Sequence, residues 1–149
     1  MVISRWPLIA VEVHDITVGQ REPRRAIEAE IATPSGNMRL IASHFGLKLS
    51  ERRSQARRLL EIVHRKPPIT VMLGDFNEWF WPGYLRAALE RELPSHTRHA
   101  TFPSRWPLLS LDRVYCWPAV ALLRSFVDRS AREASDHLPV IADVTVARP

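Results

Sequence analysis

The sequence predicts an α/β fold, and two stretches carry the prediction. Ile69-Thr70-Val71-Met72-Leu73 is apolar or β-branched throughout, and Gly74 stops it. Its shortness and β-rich composition mark a strand buried on both faces, which periodicity alone does not separate from a helix. Upstream, a strand ending at His44 precedes an amphipathic stretch that leads into Ile69. Strand, helix and strand in that order make a parallel, right-handed crossover. Gly74 permits a sharp turn without a Cβ clash, so Asp75 and Asn77 stand just past the strand's carboxyl end. Open α/β sheets place their ligand crevices there. An Asp after a strand is equally at home as a turn residue or a helix cap, so its company decides its meaning.

Composition sets the bounds. The 149 residues suffice for one domain with a real core. A hydrophobic content of 46% and a charged content of 25% are those of a globular protein in water. Cys116 is the single cysteine, which excludes an intramolecular disulfide and a Cys-rich zinc site. No apolar run approaches the roughly 20 residues of a membrane span, and Met1-Val2-Ile3-Ser4-Arg5-Trp6-Pro7 lacks a signal-peptide layout. A cytoplasmic location is the expectation. The net charge is +5, and all but Lys48 and Lys66 of the 21 basic residues are Arg. Arginine suits bidentate phosphate contacts, although a well-solvated basic surface is the commoner outcome of such a bias.

Taken in order, Val2-Ile3-Ser4 and Val11 to Ile16 read as short strands on either side of Trp6-Pro7. An apolar strand at the very start of a domain needs a partner. The expectation is therefore a single domain over residues 1–149 that is truncated at its N-terminus. Arg24 to Thr33 alternates in polarity, Pro34-Ser35-Gly36-Asn37 supplies turn chemistry, and Met38 to His44 resumes as a strand. This is the strongest hairpin in the sequence. Ser50 is a candidate N-cap for a helix whose Ala56, Leu59, Leu60 and Val63 fall at helical spacing. Its Arg52, Arg53, Arg57, Arg58 and Arg65 are expected to face solvent, and Pro67-Pro68 is expected to end it.

Past Asn77, the loop Glu78-Trp79-Phe80-Trp81-Pro82-Gly83 is expected to pack over the core rather than serve as a stacking ledge. Tyr84 to Leu93 reads as a second amphipathic helix. Ser110 to Cys116 reads as a strand carrying Asp112, a carboxylate that needs a partner if buried. Ala119 to Asp128 holds a further strand or two, and Leu138 to Val146 is an apolar final strand preceded by Asp136-His137. His96 and His99 carry no assignment.

The polar residues at strand ends are thus His44, Asp75, Asn77, Asp112, Asp136 and His137. Together they suit hydrolysis of a phosphate ester. Asp75 and Asp136 offer oxygen ligands to Mg²⁺ or Mn²⁺. Asp112 is placed to fix the tautomer of His137 and raise its basicity. His44 and Asn77 are donors for non-bridging oxygens, where charge builds in the transition state.

These stretches also resemble a known family. Gly74-Asp75-Phe76-Asn77, Leu111-Asp112-Arg113-Val114-Tyr115 and Ser135-Asp136-His137-Leu138-Pro139 look like three motifs of the endonuclease/exonuclease/phosphatase superfamily. Ser43-His44-Phe45 is similar to its Thr-His-Leu strand end, and Arg21-Glu22-Pro23 to an Arg-Glu-Pro loop upstream of it. Thr101-Phe102-Pro103 resembles a segment before the Leu-Asp-Arg strand. The resemblance implies a two-sheet β-sandwich flanked by helices, and a divalent-metal-dependent phosphoesterase of the phosphodiesterase or endonuclease type with water as nucleophile. It implies catalytic roles for His44, Asp75, Asn77, Asp112 and His137, metal binding by Asp136 and Asp75, and substrate contacts from Arg21, His44 and Asn77. Either Asp75 or the His137–Asp112 pair is the base. Nucleic acid, phospholipid and small phosphoesters are all implied substrate classes.

One departure bears on activity. Family members carry an Asn on a first strand and a metal-binding Glu after it, whereas this chain starts at a stretch resembling the later Ile-Leu-Ser-Arg-Trp-Pro strand. Glu12, Glu28 and Glu30 read as exposed strand residues, in the wrong place to substitute. A truncated, weakly active or inactive remnant is therefore the alternative. A basic nucleic-acid-binding module without catalysis is a third reading that no residue favours.

Overall fold

The computed structural model describes residues 1–64, 69–79 and 83–146. Among these residues, eight strands and two α-helices follow in the order β1 (Leu8–Asp15), β2 (Arg25–Thr33), β3 (Gly36–His44), α1 (Leu49–Val63), β4 (Thr70–Asp75), α2 (Tyr84–Glu92), β5 (Ser95–His96), β6 (Asp112–Trp117), β7 (Leu122–Val127) and β8 (Val140–Val144). Six strands form one sheet in the order β1-β2-β3-β4-β6-β5, and β7 and β8 pair as a second. The α/β (α+β) two-sheet architecture flanked by helices is as the sequence implies.

The hairpin forms where expected, with β2 and β3 antiparallel and Thr33 opposite Gly36. The crossover also forms: β3 and β4 are parallel, with His44 opposite Asp75. On the other side of β4, antiparallel β6 sets Asp75 opposite Asp112. Because strand side chains alternate between faces, these registers define two surfaces. Val11, Ala29, Leu40, Val71 and Cys116 share one row, and Val13, Ile27, Ala42, Leu73 and Val114 another on the same face. His44, Asp75 and Asp112 continue that face at the sheet's end. The opposite face carries Glu12, Glu28, Ile41, Met72 and Tyr115.

Two cores follow. The face of Ile41, Met72 and Tyr115 is covered by α1 and α2 through Ala56, Leu59, Val63, Leu85 and Leu89, all buried. The other face packs Leu40, Val71 and Val114 against Leu122, Val140, Ala142 and Val144 of the small sheet. A groove of about 870 Å³ remains between the two sheets, with Met38, Leu40, Leu73 and Val114 along one wall.

Four local expectations change. Val2-Ile3-Ser4 is not a strand, and the first strand instead runs from Leu8. Val2 packs against the second core without pairing. Helix α1 starts one residue before Ser50, with Lys48 at the N-cap and no side-chain cap bond; Ser50 is already inside, where its carbonyl accepts the Ser54 hydroxyl. Arg52 is buried rather than solvated and donates to the Leu47 carbonyl. Trp79 is exposed, not packed over the core. Arg65, the Pro67-Pro68 stop and Phe80-Trp81-Pro82 lie outside the described residues.

Candidate active site

Gly74 brings the site together because it lets β4 touch β3. Its φ is +152°, and a Cβ there would stand 1.8 Å from the Ser43 carbonyl oxygen. Any side chain would therefore push apart the two parallel strands that present His44 and Asp75. Beyond the strand, Phe45 N–H donates to the Asp75 carbonyl at 2.9 Å, and Phe76 N–H to the Leu111 carbonyl at 3.0 Å. Three strand ends are thus tied by backbone bonds, and their polar residues arrive at one edge.

Asp75 sits at the centre. Its Oδ1 accepts the Asn77 N–H at 2.9 Å, an Asx turn that holds the carboxylate still. Its Oδ2 lies 3.3 Å from His44 Nε2. His137, from the loop before β8, crosses to the large sheet and donates from Nδ1 to Asp112 Oδ2 at 2.7 Å. Ligand atoms of Asp75, Asp112 and His137 lie within 4.8 Å of one another. His44 is 57% exposed, so its ring opens to solvent on the same edge.

Asn77 plays a different part from that implied by its polarity. It is 4% exposed, adopts a left-handed φ of 51°, and donates from Nδ2 to the Phe45 carbonyl at 2.8 Å. Asparagine tolerates that conformation better than most residues. Its amide latches the turn after β4 to the turn after β3. Asp136 is exposed beside His137. Arg21 pairs with the buried Glu51 of α1 at 3.8 Å.

The charges perturb one another. Burial pushes the Asp75 carboxyl above the usual carboxylate range, and the neighbouring Asp112 adds to this; the Asn77 N–H and the two imidazoles pull the other way but do not cancel it. For His137, burial favours the neutral ring. The Asp112 hydrogen bond and charge, with Asp75 and Asp136, outweigh burial and raise its pKa above the ordinary 6.5. The two shifts have opposite electrostatic origins. A carboxylate resists ionising while an adjacent imidazole is stabilised in its charged form.

Sequence reasoning missed the frame around His137. Thr101 is fully buried; its hydroxyl oxygen accepts the Asp112 N–H at 3.3 Å, and its carbonyl accepts the Leu138 N–H at 2.8 Å. The Phe102 ring packs 4.9 Å from the His137 ring. Ser104 N–H donates to the Asp136 carbonyl at 2.7 Å, and the Ser135 hydroxyl oxygen accepts the His137 N–H at 3.1 Å. Thr101-Phe102-Pro103 was visible only as a likeness; nothing in it announces that it braces both members of an acid–imidazole pair.

Comparison with known proteins identifies the fold and the family. The uncharacterised Escherichia coli K12 protein YbhP is 34% identical over 155 aligned residues, covering 96% of this chain and 61% of YbhP. The chain thus spans under two thirds of the length of that relative. The mannosyl-6-phosphatase Bt3783 of Bacteroides thetaiotaomicron shares the fold at TM-score 0.74 and 15% identity, covering 94% of this chain and 67% of that one. TDP2 of D. rerio, solved with a single-strand DNA product, superposes at TM-score 0.61 and 17% identity, over 91% and 66% respectively. The model of the Endonuclease/Exonuclease/phosphatase family matches residues 1–137. On that match, the chain belongs to the endonuclease/exonuclease/phosphatase family.

Proposed function

We propose that this chain carries a phosphate-ester hydrolase site of the phosphodiesterase or endonuclease type, with water as nucleophile and a divalent cation as cofactor. The observation that carries the reading is the 2.7 Å His137–Asp112 pair standing beside Asp75, with ligand atoms of all three within 4.8 Å. The donor set fits a hard divalent ion, since carboxylate oxygens dominate it. Asp75 would hold Mg²⁺ or Mn²⁺ together with Asp136, which is exposed beside His137 and outside that converging group; the ion when bound would neutralise phosphate charge and acidify water.

The chain's own residues supply the rest. Asp112 accepts the Nδ1 proton of His137, which fixes the tautomer and leaves Nε2 to take or return a proton. Protonated, the same ring sets a positive charge where the phosphoryl oxygens become more negative. Asp75 competes for the role of base: its raised proton affinity suits it to draw a proton from water. His44, open to solvent and next to Asp75 Oδ2, is a donor for a non-bridging oxygen. Asn77 acts as a positioning residue through the Phe45 carbonyl, with its second amide hydrogen left for the phosphate. Arg21 remains a substrate contact only for a ligand extending toward Glu51. Phosphodiesters of nucleic acid, phospholipids and small phosphoesters share the scissile group, so this geometry recognises the group they have in common.

The test is hydrolysis of bis(p-nitrophenyl) phosphate with added Mg²⁺ or Mn²⁺. Turnover that depends on the ion and falls about 10²–10⁴-fold in His137→Ala is expected from loss of a general acid–base group. Turnover unchanged in both His137→Ala and Asp75→Asn would overturn the assignment. One observation favours a second reading. Among the described residues, no glutamate joins Asp75, Asp112 and His137, and Asp112 Oδ2 is already committed to His137. This site is therefore expected to turn over weakly. Vigorous Mg²⁺-dependent turnover abolished by Asp75→Ala would count against that.

A further inference from the structure

We propose that Glu12, His14 and Glu28 form a second divalent-cation site, selective for an ion of the Zn²⁺ type. It stands on the helix-covered face of the sheet, opposite the face that carries His44, Asp75 and Asp112. Neighbouring strands bring the residues together: Glu12 lies directly across from Glu28, and His14 projects from the same face two residues along β1. Ligand atoms of the three lie within 4.8 Å of one another.

The arrangement holds one more carboxylate than a single His–Glu ion pair. The His14 ring has a carboxylate at each nitrogen, Glu28 Oε2 at 2.8 Å from Nε2 and Glu12 Oε1 at 3.5 Å from Nδ1. A neutral imidazole has one N–H, so it satisfies only one of them. A doubly protonated ring would donate to both; with a neutral ring, the largely exposed Glu12 is left to water or to a bound cation. Glu28 is also held from behind. Arg39, 4% exposed, donates from Nε to Glu28 Oε1 at 2.6 Å and from Nη2 to the Ile62 carbonyl of α1 at 2.7 Å. That bond aims the remaining oxygen, Oε2, at His14. An outer partner of this kind orients a metal ligand and sets its basicity.

Charge favours occupation. Two carboxylates against one guanidinium leave the cluster net negative when His14 is neutral. Ligand atoms around a tetrahedral zinc stand roughly 3.3 Å apart, given bonds of about 2.0 Å. Glu28 and His14 would part slightly and Glu12, whose side chain is largely exposed, would swing in. Water would complete the shell. The mixed imidazole and carboxylate set suits Zn²⁺ better than Mg²⁺.

The test is calorimetric titration of the full chain with Zn²⁺, in the Asp75→Asn/His137→Ala background so that the phosphoesterase site does not contribute. One equivalent is expected to bind and raise the melting temperature. His14→Ala should remove that equivalent, and Glu12→Gln, an exposed substitution that leaves the core intact, should weaken it at least about tenfold. In the unmodified chain, His14→Ala should leave phosphodiester turnover as it was. Zinc stoichiometry unaffected by both substitutions, or no binding at 100-fold excess over a 10 μM chain (about 1 mM, the weak end of measured affinities), would overturn the proposal. A loss of turnover in His14→Ala that follows its zinc loss would overturn the claim of a separate site.

Discussion

The two faces of the large sheet differ more than any other regions of the molecule. One is sealed over its centre: Ile41, Met72 and Tyr115 are almost wholly buried beneath α1 and α2. The other is sealed only where β7 and β8 reach it. At its β1 end Val11 is 55% exposed and Val13 51%, although their neighbours in the same rows, Leu40 and Val114, are buried. Apolar strand residues in rows of this kind normally meet a second layer. The cluster of His44, Asp75, Asp112 and His137 stands on the partly covered face, where His137 reaches across from the loop before the small sheet's last strand. Thus one side of the sheet carries the helices and the other carries the polar cluster. The price of that division is apolar surface left in contact with water.

This contrast can be broken by substitution. The largest stability effect is expected on the sealed side: Ile41→Ala or Leu59→Ala should cost about 2–5 kcal/mol by urea denaturation, since each leaves a cavity the helices cannot fill. Val11→Ala or Val13→Ala should cost under about 1 kcal/mol, because little burial is lost. Equal losses on the two faces would refute the division.

A smaller effect should appear in pH dependence. The His137 pKa is raised above its ordinary 6.5. A raised imidazole pKa adds stability that is complete below the unfolded value and is lost as pH climbs through the folded one. The denaturation midpoint should therefore fall from pH 6.5 upward, and Asp112→Asn should flatten that segment. Asp75 acts in the same sense, in a lower pH window. Its raised carboxyl pKa makes folding less favourable once ionised, so stability recovers as pH drops through the acid range. Asp75→Asn should remove the acid-side gain and reduce the slope above pH 6.5 less than Asp112→Asn does, because Asp112 contributes more to the His137 shift. The smallest effect belongs to the open rows: Val11→Thr with Val13→Thr should shift stability by about 0.5 kcal/mol or less per site, yet visibly reduce binding of an apolar dye. Unchanged dye binding would show that the open face is not the exposed apolar surface.

Much of this was legible beforehand because strands and turns are local. The alternation of Arg24 to Thr33, the Pro34-Ser35-Gly36-Asn37 turn and the apolar run from Ile69 each fix their own geometry. His44, Asp75, Asp112 and His137 could be picked out as polar residues at strand ends. The true environment of Glu28 could not. It reads as an exposed strand residue, yet it is half-buried between Arg39 and His14, because its partners come from β1 and β3 and the guanidinium is pinned by α1. Arg52 misleads in the same way: it looks like one more solvated arginine until the Leu47 carbonyl is found beside it.

Sequence alone determined the elements, their order and the kinds of side chain at their ends, since periodicity and turn chemistry act over a few residues. Tertiary structure decided which ends meet. Whether Asp75 faces Asp112 or a leucine depends on register between strands far apart in the chain. Whether His137 finds Asp112 depends on the Thr101–Phe102 brace. Distances between side chains are set by packing across the whole domain, and no short stretch of residues encodes them.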